Sequence, residues 1–372
     1  MSILRNIQHL RNISSVDWRS LAKTIVNLYP DYYSGKGRSN SIANITLEIT
    51  YKCNWKCNFC FLKDNVLNQE MDELSYNEIV KLIDEVAPKH IGFFLTGGEP
   101  FTRPDCIDII GAIKERGLKV GVNTNSHLLN EAKIDQLNEI GLDYLITSIH
   151  GPREIHDAIT GVKSFDRIMQ NLSYWQGKSG RTKILINFVT SPQTYRHMSQ
   201  MVAIAAEVGV DALTIQHETY LTPHDRAEHD RQWLQIFGRE NEVELGNLDL
   251  PTDEFDLPAM TEMIAGARKK AKELGLNTFF KPDLDSKGLE NWYGLEFRAN
   301  RHCSYIYSDA RINPRGDVVV CQFIPKVVGN IRSGKLLELV NSEPFIEFRK
   351  GIKQAGGLFG ACARCCKLYR TF

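Results

Sequence analysis

The sequence predicts an α/β protein built on a parallel sheet. Short apolar runs alternate with segments of helical periodicity, and six strands separated by helices imply βαβ units. Consecutive right-handed crossovers of this kind either close partly into a barrel or spread into an open sheet. In both arrangements ligands bind at the carboxyl ends of the strands. The predicted strands are residues 45–50, 91–96, 119–124, 144–149, 183–190 and 212–217.

Helical patterns fill the intervals between these strands. The clearest helix start has Ser75 followed three residues later by Glu78, a capping box in which side chain and backbone satisfy each other reciprocally. The predicted helices lie near 76–87, 104–116, 130–140, 165–176 and 195–208.

The remaining segments indicate three parts. Residues 218–260 are polar and rich in proline, and we expect a long connection there, before a helix over 260–274 and a strand over 278–281. A hairpin of 307–312 and 317–321, joined by an Asn-Pro-Arg-Gly turn, and a helix over 336–354 follow. The expected domains are a helical extension (1–41), an α/β domain (42–289) and a small cysteine-rich domain (290–372).

Composition excludes several classes of protein. The 372 residues carry 45 Lys and Arg against 45 Asp and Glu, so bulk binding of nucleic acid is disfavoured. No apolar stretch approaches the roughly 20 residues of a membrane span. The first residues lack the apolar core and cleavage site of a signal peptide. These features predict a cytoplasmic protein.

Cysteine placement is the strongest chemical signal in the chain. Nine cysteines, an odd number in a chain of intracellular character, argue against a disulfide scaffold. Three of them lie within eight residues near the first strand, and five lie in the last 70 residues. This clustering predicts two separate thiolate sites.

The first cysteine cluster, C-x3-C-x2-C, directly follows the first strand and consists of Cys53, Cys57 and Cys60. Three thiolates on one loop can bind three irons of a [4Fe–4S] cube and leave the fourth iron open to a bidentate ligand. A structural zinc ion is the alternative, but zinc takes four ligands, commonly from two separated pairs. No cysteine or histidine follows closely enough to complete that set.

The second predicted strand ends in Gly97-Gly98-Glu99-Pro100. A pair of glycines removes two side chains and lets the backbone approach a ligand closely. Alone, this segment would be an ordinary turn between a strand and a helix. Its position one βα unit after the cysteine loop makes a role in ligand binding the better interpretation.

Together, the cysteine loop and the Gly97-Gly98-Glu99-Pro100 segment resemble the two main signatures of the radical SAM superfamily. The resemblance covers roughly residues 42–285 and implies a partial (β/α)6 TIM-like barrel. It also implies that S-adenosylmethionine chelates the open iron and is cleaved reductively, which usually gives a 5′-deoxyadenosyl radical. The cofactor carries the difficult chemistry, and the barrel positions it and excludes water.

The resemblance extends to individual cofactor contacts. It places Phe59 near the adenine and the Gly97-Gly98-Glu99 segment at the methionine amino group. It suggests polar contacts to the sulfonium ligand or its ribose from Asn125 and Ser148, with turn chemistry as the alternative for both. Two further candidates, on the fifth and sixth strands, are Val189 and Gln216.

The second cysteine cluster surrounds the predicted hairpin and closes at the end of the chain. Its pattern is Cys303-x12-Gly316-x4-Cys321, then Cys362-x2-Cys365-Cys366. It resembles the SPASM extension of radical SAM enzymes in its shorter twitch form, which implies one auxiliary iron–sulfur cluster, [4Fe–4S] in the simplest case. Four thiolates also suit zinc, so a structural zinc ion is the alternative here.

The adjacent Cys365 and Cys366 are not expected to bind the same cube, because neighbouring side chains point to different sides. The preferred ligand set is Cys303, Cys321, Cys362 and Cys365, which leaves Cys366 free and facing the substrate; the alternative set exchanges the last two. A lone helical cysteine, Cys106, is expected to pack without a functional role.

The resemblance implies a radical enzyme with a flavodoxin- or ferredoxin-type electron donor and leaves its substrate open. A small metabolite or a ribosomal peptide would fit, although few residues precede the barrel to hold a peptide leader. The ending Arg364-Cys365-Cys366-Lys367-Leu368-Tyr369 is similar to an Arg-Cys-Cys motif in enzymes of arsinothricin biosynthesis, which transfer an aminocarboxypropyl group to trivalent arsenic. A non-catalytic iron–sulfur electron carrier is the alternative from another class.

Overall fold

A computed structural model describes residues 18–57, 59–62, 72–178, 180, 182–245, 255–297 and 299–369. Within these ranges the chain forms ten strands that belong to one sheet. In chain order they are β1 (Asn44–Thr50), β2 (Gly92–Gly97), β3 (Val120–Thr124), β4 (Tyr144–Ser148), β5 (Lys183–Thr190), β6 (Ala212–His217), β7 (Thr278–Lys281), β8 (Asp309–Ile312), β9 (Asp317–Val319) and β10 (Val327–Asn330).

Helices connect the strands β1 to β7, and further helices follow β7 along the chain. They are α1 (Trp18–Tyr33), α2 (Tyr76–Val86), α3 (Cys106–Glu115), α4 (Glu131–Ile140), α5 (Arg153–Thr160), α6 (Phe165–Gln176), α7 (Met198–Val208), α8 (Pro223–Phe237), α9 (Leu257–Leu274), α10 (Ser286–Tyr293), α11 (Tyr305–Ser308), α12 (Leu336–Leu339) and α13 (Glu343–Gln354). Every helix in the described ranges is too short or too polar to cross a lipid bilayer.

The sheet order is β10-β9-β8-β1-β2-β3-β4-β5-β6-β7, and neighbouring strands from β1 to β7 run parallel. Helices between consecutive parallel strands give the predicted βαβ units, which form a partial TIM-like barrel. This arrangement confirms the fold class that the sequence predicts. Because the strands are parallel, their carboxyl ends meet at one edge, where a ligand site is expected.

The central strand β1 shows why this segment folds as it does. Its residues are buried from Ile45 to Thr50, as expected for a strand covered on both faces. Ile45, Leu47 and Ile49 alternate on one face and are at most 1% exposed. The other face places Glu48 in the interior, where a carboxylate needs a partner.

The cysteine-rich C-terminal part continues the barrel sheet. Strand β8 pairs in parallel with β1, from Asn44 opposite Asp309 to Leu47 opposite Ile312. Strand β9 returns antiparallel to β8, so the predicted hairpin is present. The turn between them is stabilised by Asn313, whose side-chain oxygen accepts hydrogen bonds from two amides within the turn. The hairpin begins later than predicted, because the segment before Asp309 forms the short helix α11.

The expectation that 218–260 is a long connection is wrong for 223–237, which form α8, and residues 246–254 of that segment lie outside the described residues. Thr222 caps this helix by accepting from the Asp225 amide, and Pro223 occupies its first turn. The helix escaped prediction because its buried face is largely polar, with Asp225, His229 and Gln232 beside Trp233. A search for apolar periodicity cannot recognise such a face.

One other helical prediction needs correction. The helix expected over 336–354 is divided into α12 and α13, because Ser342 starts a new helix with Pro344 in its first turn. Helices α5 and α10 lie in segments without a predicted element. The capping box at Ser75 and Glu78 is confirmed in both directions.

Candidate active site

A cavity of about 250 Å³ lies at the carboxyl ends of β1 to β6. All three cysteines of the first cluster, Cys53, Cys57 and Cys60, line it. So do seven of the eight cofactor contacts suggested by the sequence, namely Phe59, Gly97, Gly98, Asn125, Ser148, Val189 and Gln216. Residues that are distant in the sequence therefore meet at the edge where parallel strands place their ligands.

The glycine pair allows the cysteine loop to approach the end of β2. The amide of Gly98 donates to the Thr50 carbonyl at 2.9 Å, and the next amide donates to the Lys52 carbonyl at 2.8 Å. A Cβ atom on Gly98 would lie 2.3 Å from the Lys52 oxygen, and one on Gly97 would lie 2.1 Å from the Thr50 oxygen. Gly97 also has a φ of 131°, which side chains disfavour. Only glycine fits at either position.

The eighth predicted contact, Glu99, does not line the cavity. Its carboxylate is 1% exposed and accepts hydrogen bonds from the amides of Phe101 and Asn125, at 3.0 and 2.6 Å. It also accepts from the Thr124 hydroxyl at 2.7 Å. Burial raises the pKa of Glu99 to about 7 despite these bonds. The side chain therefore links the ends of β2 and β3 through hydrogen bonds and lies outside the lining of the cavity.

The cysteines of the first cluster are poorly suited to ionise alone. Burial raises the pKa of Cys53 to about 11 and that of Cys57 to about 12, and it also raises the pKa of Cys60. Their thiolates become stable when positive charge is placed among them, as metal binding does. The amide of Trp55 already donates to the sulfur of Cys53 at 3.4 Å. This donor set fits an iron–sulfur cluster.

Sequence reasoning missed two titratable residues of this cavity. His150 follows β4, and its ring meets Phe59 edge-on at 4.7 Å between centroids. Burial, with a smaller effect of His156, lowers the pKa of His150 to about 3, so its ring is neutral. Glu218 follows β6, its Oε2 has no hydrogen-bond partner among the described residues, and burial raises its pKa to about 7. Both positions lie within two residues of a strand end, which is the signal that could have identified them.

A second, apolar cavity holds the auxiliary cysteines. Its lining includes the four preferred ligands, Cys303, Cys321, Cys362 and Cys365. Amides of Ile324 and Lys367 donate to the sulfurs of Cys321 and Cys365, at 3.3 and 3.4 Å. Hydrogen bonds of this kind stabilise thiolates and tune iron–sulfur clusters.

The adjacent cysteines face different cavities. Cys365 lines the apolar cavity, whereas Cys366 lines the larger cavity with the first cluster. The pKa of Cys366 is lowered to about 6, chiefly because the Cys365 thiol donates a hydrogen bond to it, with further effects of Lys367 and Lys281. When Cys365 gives up its hydrogen to bind iron, it can no longer donate this hydrogen bond, and the largest cause of the lowered pKa of Cys366 is removed.

A single zinc ion and an iron–sulfur cluster require different arrangements of the thiols. In the part of the chain that the structure describes, no three cysteine, histidine, aspartate or glutamate side chains converge to hold one metal ion. A zinc ion draws each sulfur to about 2.3 Å, whereas an iron–sulfur cube bonds each cysteine at a separate corner. The remaining cysteine, Cys106, is buried in α3 and lines neither cavity, and burial raises its pKa.

Comparison with known proteins agrees with this geometry. The model of the radical SAM superfamily matches residues 47–205. The chain therefore carries a radical SAM domain. It also carries a SPASM domain, because the model of that iron–sulfur cluster-binding domain matches residues 303–366. These two domains define the cofactors as iron–sulfur clusters and S-adenosylmethionine.

Curated relatives match this chain over part or most of its length. A probable GTP 3′,8-cyclase of Sulfurisphaera tokodaii is 32% identical over 177 residues, 46% of this chain and 55% of the cyclase. The chain thus matches about half the length of that relative. An AdoMet-dependent heme synthase of Methanosarcina barkeri is 26% identical over 344 residues, 88% of this chain and 89% of the synthase.

Solved structures confirm the fold. Streptococcus suis SuiB, bound to the precursor peptide SuiA, has a TM-score of 0.63 at 16% identity, over 89% of this chain and 72% of SuiB. The protein anSMEcpe with bound AdoMet has a TM-score of 0.55 at 17% identity, over 82% of both chains. At these identities the likeness concerns the fold alone.

Proposed function

We propose that this protein is a radical enzyme that cleaves S-adenosylmethionine reductively and modifies an organic substrate in the larger cavity. Cys53, Cys57 and Cys60 hold the first [4Fe–4S] cluster in this proposal. Cys303, Cys321, Cys362 and Cys365 hold one auxiliary cluster. The observation that carries the proposal is the cavity itself, which unites the cysteine loop with the glycine pair and the polar strand ends.

The cofactors and the protein divide the work. When bound, the first cluster supplies the electron that breaks a carbon–sulfur bond of S-adenosylmethionine, giving a 5′-deoxyadenosyl radical. The backbone of Gly97 and Gly98 would hold the methionine end, and Phe59 would pack beside the adenine. Asn125 and Ser148 offer polar groups to the ribose or the sulfonium ligand. Val189 and Gln216 complete the cofactor pocket from β5 and β6.

The test uses anaerobically reconstituted protein, reduced with dithionite and supplied with S-adenosylmethionine. We expect 5′-deoxyadenosine from the wild-type protein and none from the Cys53→Ala, Cys57→Ala, Cys60→Ala triple variant, which should also lose about four irons. The Cys106→Ser variant is the matched control and should keep both. Continued cleavage by the triple variant would contradict the proposal.

The substrate class stays open within this proposal. Two of the relatives are named as a probable GTP 3′,8-cyclase and an AdoMet-dependent heme synthase. Both names refer to small molecules, which supports a small metabolite as substrate. SuiB, which shares the fold, is bound to a precursor peptide, and this supports a peptide as the alternative. A flavodoxin- or ferredoxin-type protein would supply electrons. The nine cysteines, none of which is in a disulfide bond, support a cytoplasmic setting, where such thiols stay reduced.

A second candidate is aminocarboxypropyl transfer from S-adenosylmethionine to trivalent arsenic. The observation in its favour is the soft sulfur of Cys366 in the same cavity as the first cluster. This reaction breaks the S–Cγ bond and releases methylthioadenosine instead of 5′-deoxyadenosine. Identifying the nucleoside product with and without arsenite distinguishes the two candidates. Only the second candidate predicts methylthioadenosine, and it predicts that this product forms only when arsenite is present. A pure electron carrier would yield neither nucleoside.

A further inference from the structure

A chain of hydrogen bonds leads from the cysteine loop to Cys366. The Tyr51 hydroxyl donates to Glu48 Oε2 at 2.8 Å, and the other oxygen of Glu48 forms an ion pair with Arg311. Arg311 Nη1 donates to Gln322 Oε1 at 3.3 Å, and Gln322 Nε2 donates to Cys366 Sγ at 3.6 Å. The chain joins two segments that each adjoin a cysteine cluster.

The base of this chain is rigid. The side chains of Glu48 and Arg311 are 3% and 5% exposed, and they lie on the paired strands β1 and β8. A buried ion pair whose partners are hydrogen-bonded holds a fixed geometry, because separating it would leave a buried charge unpaired. Gln322 receives its orientation from Arg311: its oxygen accepts from the guanidinium, so its amide nitrogen faces Cys366.

Gln322 and Cys366 both line the larger cavity. With Gln322 donating to the sulfur, the hydrogen of the Cys366 thiol is free to serve another group. The cavity also contains the carboxyl of Glu218 with an unpartnered oxygen. A thiol in this cavity stands beside the site proposed for S-adenosylmethionine.

We propose that Cys366 is a hydrogen-atom donor of the active site and that Gln322 is its positioning residue. The inference rests on the proposed function and deepens it. The thiol S–H bond breaks homolytically, its hydrogen forms a C–H bond with a carbon-centred radical in the cavity, and a sulfur radical is left. One electron from the flavodoxin- or ferredoxin-type donor, and one proton from solvent, restore the thiol. The substrate then leaves with no net loss of hydrogen.

The first test needs no substrate. The reconstituted, dithionite-reduced protein is incubated with S-adenosylmethionine alone, in D₂O and thiol-free buffer, and the 5′-deoxyadenosine is analysed by mass spectrometry. Exchangeable O–D and N–D bonds are too strong to give an atom to a primary carbon radical, whereas S–D is weak enough. We expect a monodeuterated product from the wild-type protein, loss of most of that deuterium in Cys366→Ser, and no change in Cys106→Ser.

The second test examines how Cys366 is positioned and does not require turnover. Holoprotein is treated with iodoacetamide, and alkylation of each cysteine is followed by peptide mass spectrometry. We expect Cys366 to be labelled and to be protected by added S-adenosylmethionine. Its labelling rate should change in both Gln322→Leu and Gln322→Glu, because neither side chain carries the amide nitrogen that donates to Cys366.

Each outcome bears on a specific claim. Deuterium that persists in Cys366→Ser, or 5′-deoxyadenosine without deuterium in the wild-type protein, overturns the hydrogen-donor role while leaving the proposed function intact. A Cys366 that resists alkylation in the holoprotein, or a labelling rate unaffected by Gln322→Leu, overturns the positioning claim. Absence of any 5′-deoxyadenosine overturns the proposed function and the inference with it.

Discussion

Arg364 and Asp225 form an ion pair inside the protein, with 2.6 Å between Nη1 and Oδ2 and side chains 0% and 3% exposed. The same guanidinium donates to the carbonyl oxygens of Trp292 and Gly294, and it lies over the ring of Tyr220. Because Arg364 directly precedes the adjacent cysteines, this contact fixes where the chain turns between the two cavities. The arginine of the Arg-Cys-Cys ending is therefore an anchor and does not line either cavity.

Removing the carboxylate of this pair should destabilise the protein strongly. In Asp225→Asn the Arg364 charge stays buried without its partner, and such a loss costs about 3–5 kcal/mol. We expect a lower unfolding temperature and loss of iron from the auxiliary site. Asp230→Asn, an exposed position of the same helix, is the control. Equal unfolding temperatures for the two variants would contradict the anchoring role.

A methyl group at the glycine pair should impair the first cluster. In Gly98→Ala the new Cβ would collide with the Lys52 carbonyl, so the cysteine loop has to move. We expect weaker binding of S-adenosylmethionine, measured by equilibrium dialysis, and less iron at the first site. Gly111→Ala is the control, because Gly111 lies in α3 with open space around its Cβ position. Alanine there should be neutral or stabilising by up to about 1 kcal/mol.

The two adjacent cysteines should differ in iron content when each is replaced. Cys365→Ser removes a ligand in the apolar cavity, and we expect about four irons fewer per chain. Cys366→Ser leaves the cluster ligands in place and should keep the wild-type content. Iron and sulfide analysis of anaerobically purified protein measures this. The opposite pattern would assign Cys366 to the auxiliary cluster.

Stability should fall with rising pH through the ionisation of Glu218. Its pKa in the folded protein is about 7, above the value of about 4.3 in an unfolded chain, so the folded state binds this proton more tightly. The contribution is complete below the unfolded value and is lost as the pH rises through about 7. Glu218→Gln should therefore gain stability over the wild type between pH 5 and 8, by about 2 kcal/mol.

Thermal unfolding of the cluster-loaded proteins at pH 5, 7 and 8 measures this gain. Glu207→Gln, an exposed position on α7, is the control and should show no trend. A constant difference between Glu218→Gln and wild type at all three pH values would show that Glu218 keeps one charge state throughout.

The sequence predicts the framework of the site well because its signals are local. Apolar runs mark the seven parallel strands, and strand ends locate most of the cavity lining. The spacing of the cysteines indicates both thiolate sites. Even the divergence of Cys365 and Cys366 follows from a rule about neighbouring side chains.

The missing features depend on contacts between distant segments. Helix α8 buries a polar face, and Asp225 is stabilised there by Arg364, which lies 139 residues away. Glu99 turns away from the cavity because its carboxylate accepts hydrogen bonds from the amides of Phe101 and Asn125. Gln322 is not itself part of the cysteine pattern, and its role depends on its hydrogen bonds with Arg311 on one side and Cys366 on the other.

The pairing of β8 with β1 has a consequence for engineering this chain. Cutting away the cysteine-rich part would expose the edge of β1, and exposed strand edges pair readily with other chains. The same cut would leave the buried carboxylate of Glu48 without its ion-pair partner Arg311. A shortened barrel would therefore aggregate unless Glu48 were replaced by an apolar residue and the bare edge were blocked by a lysine or a proline.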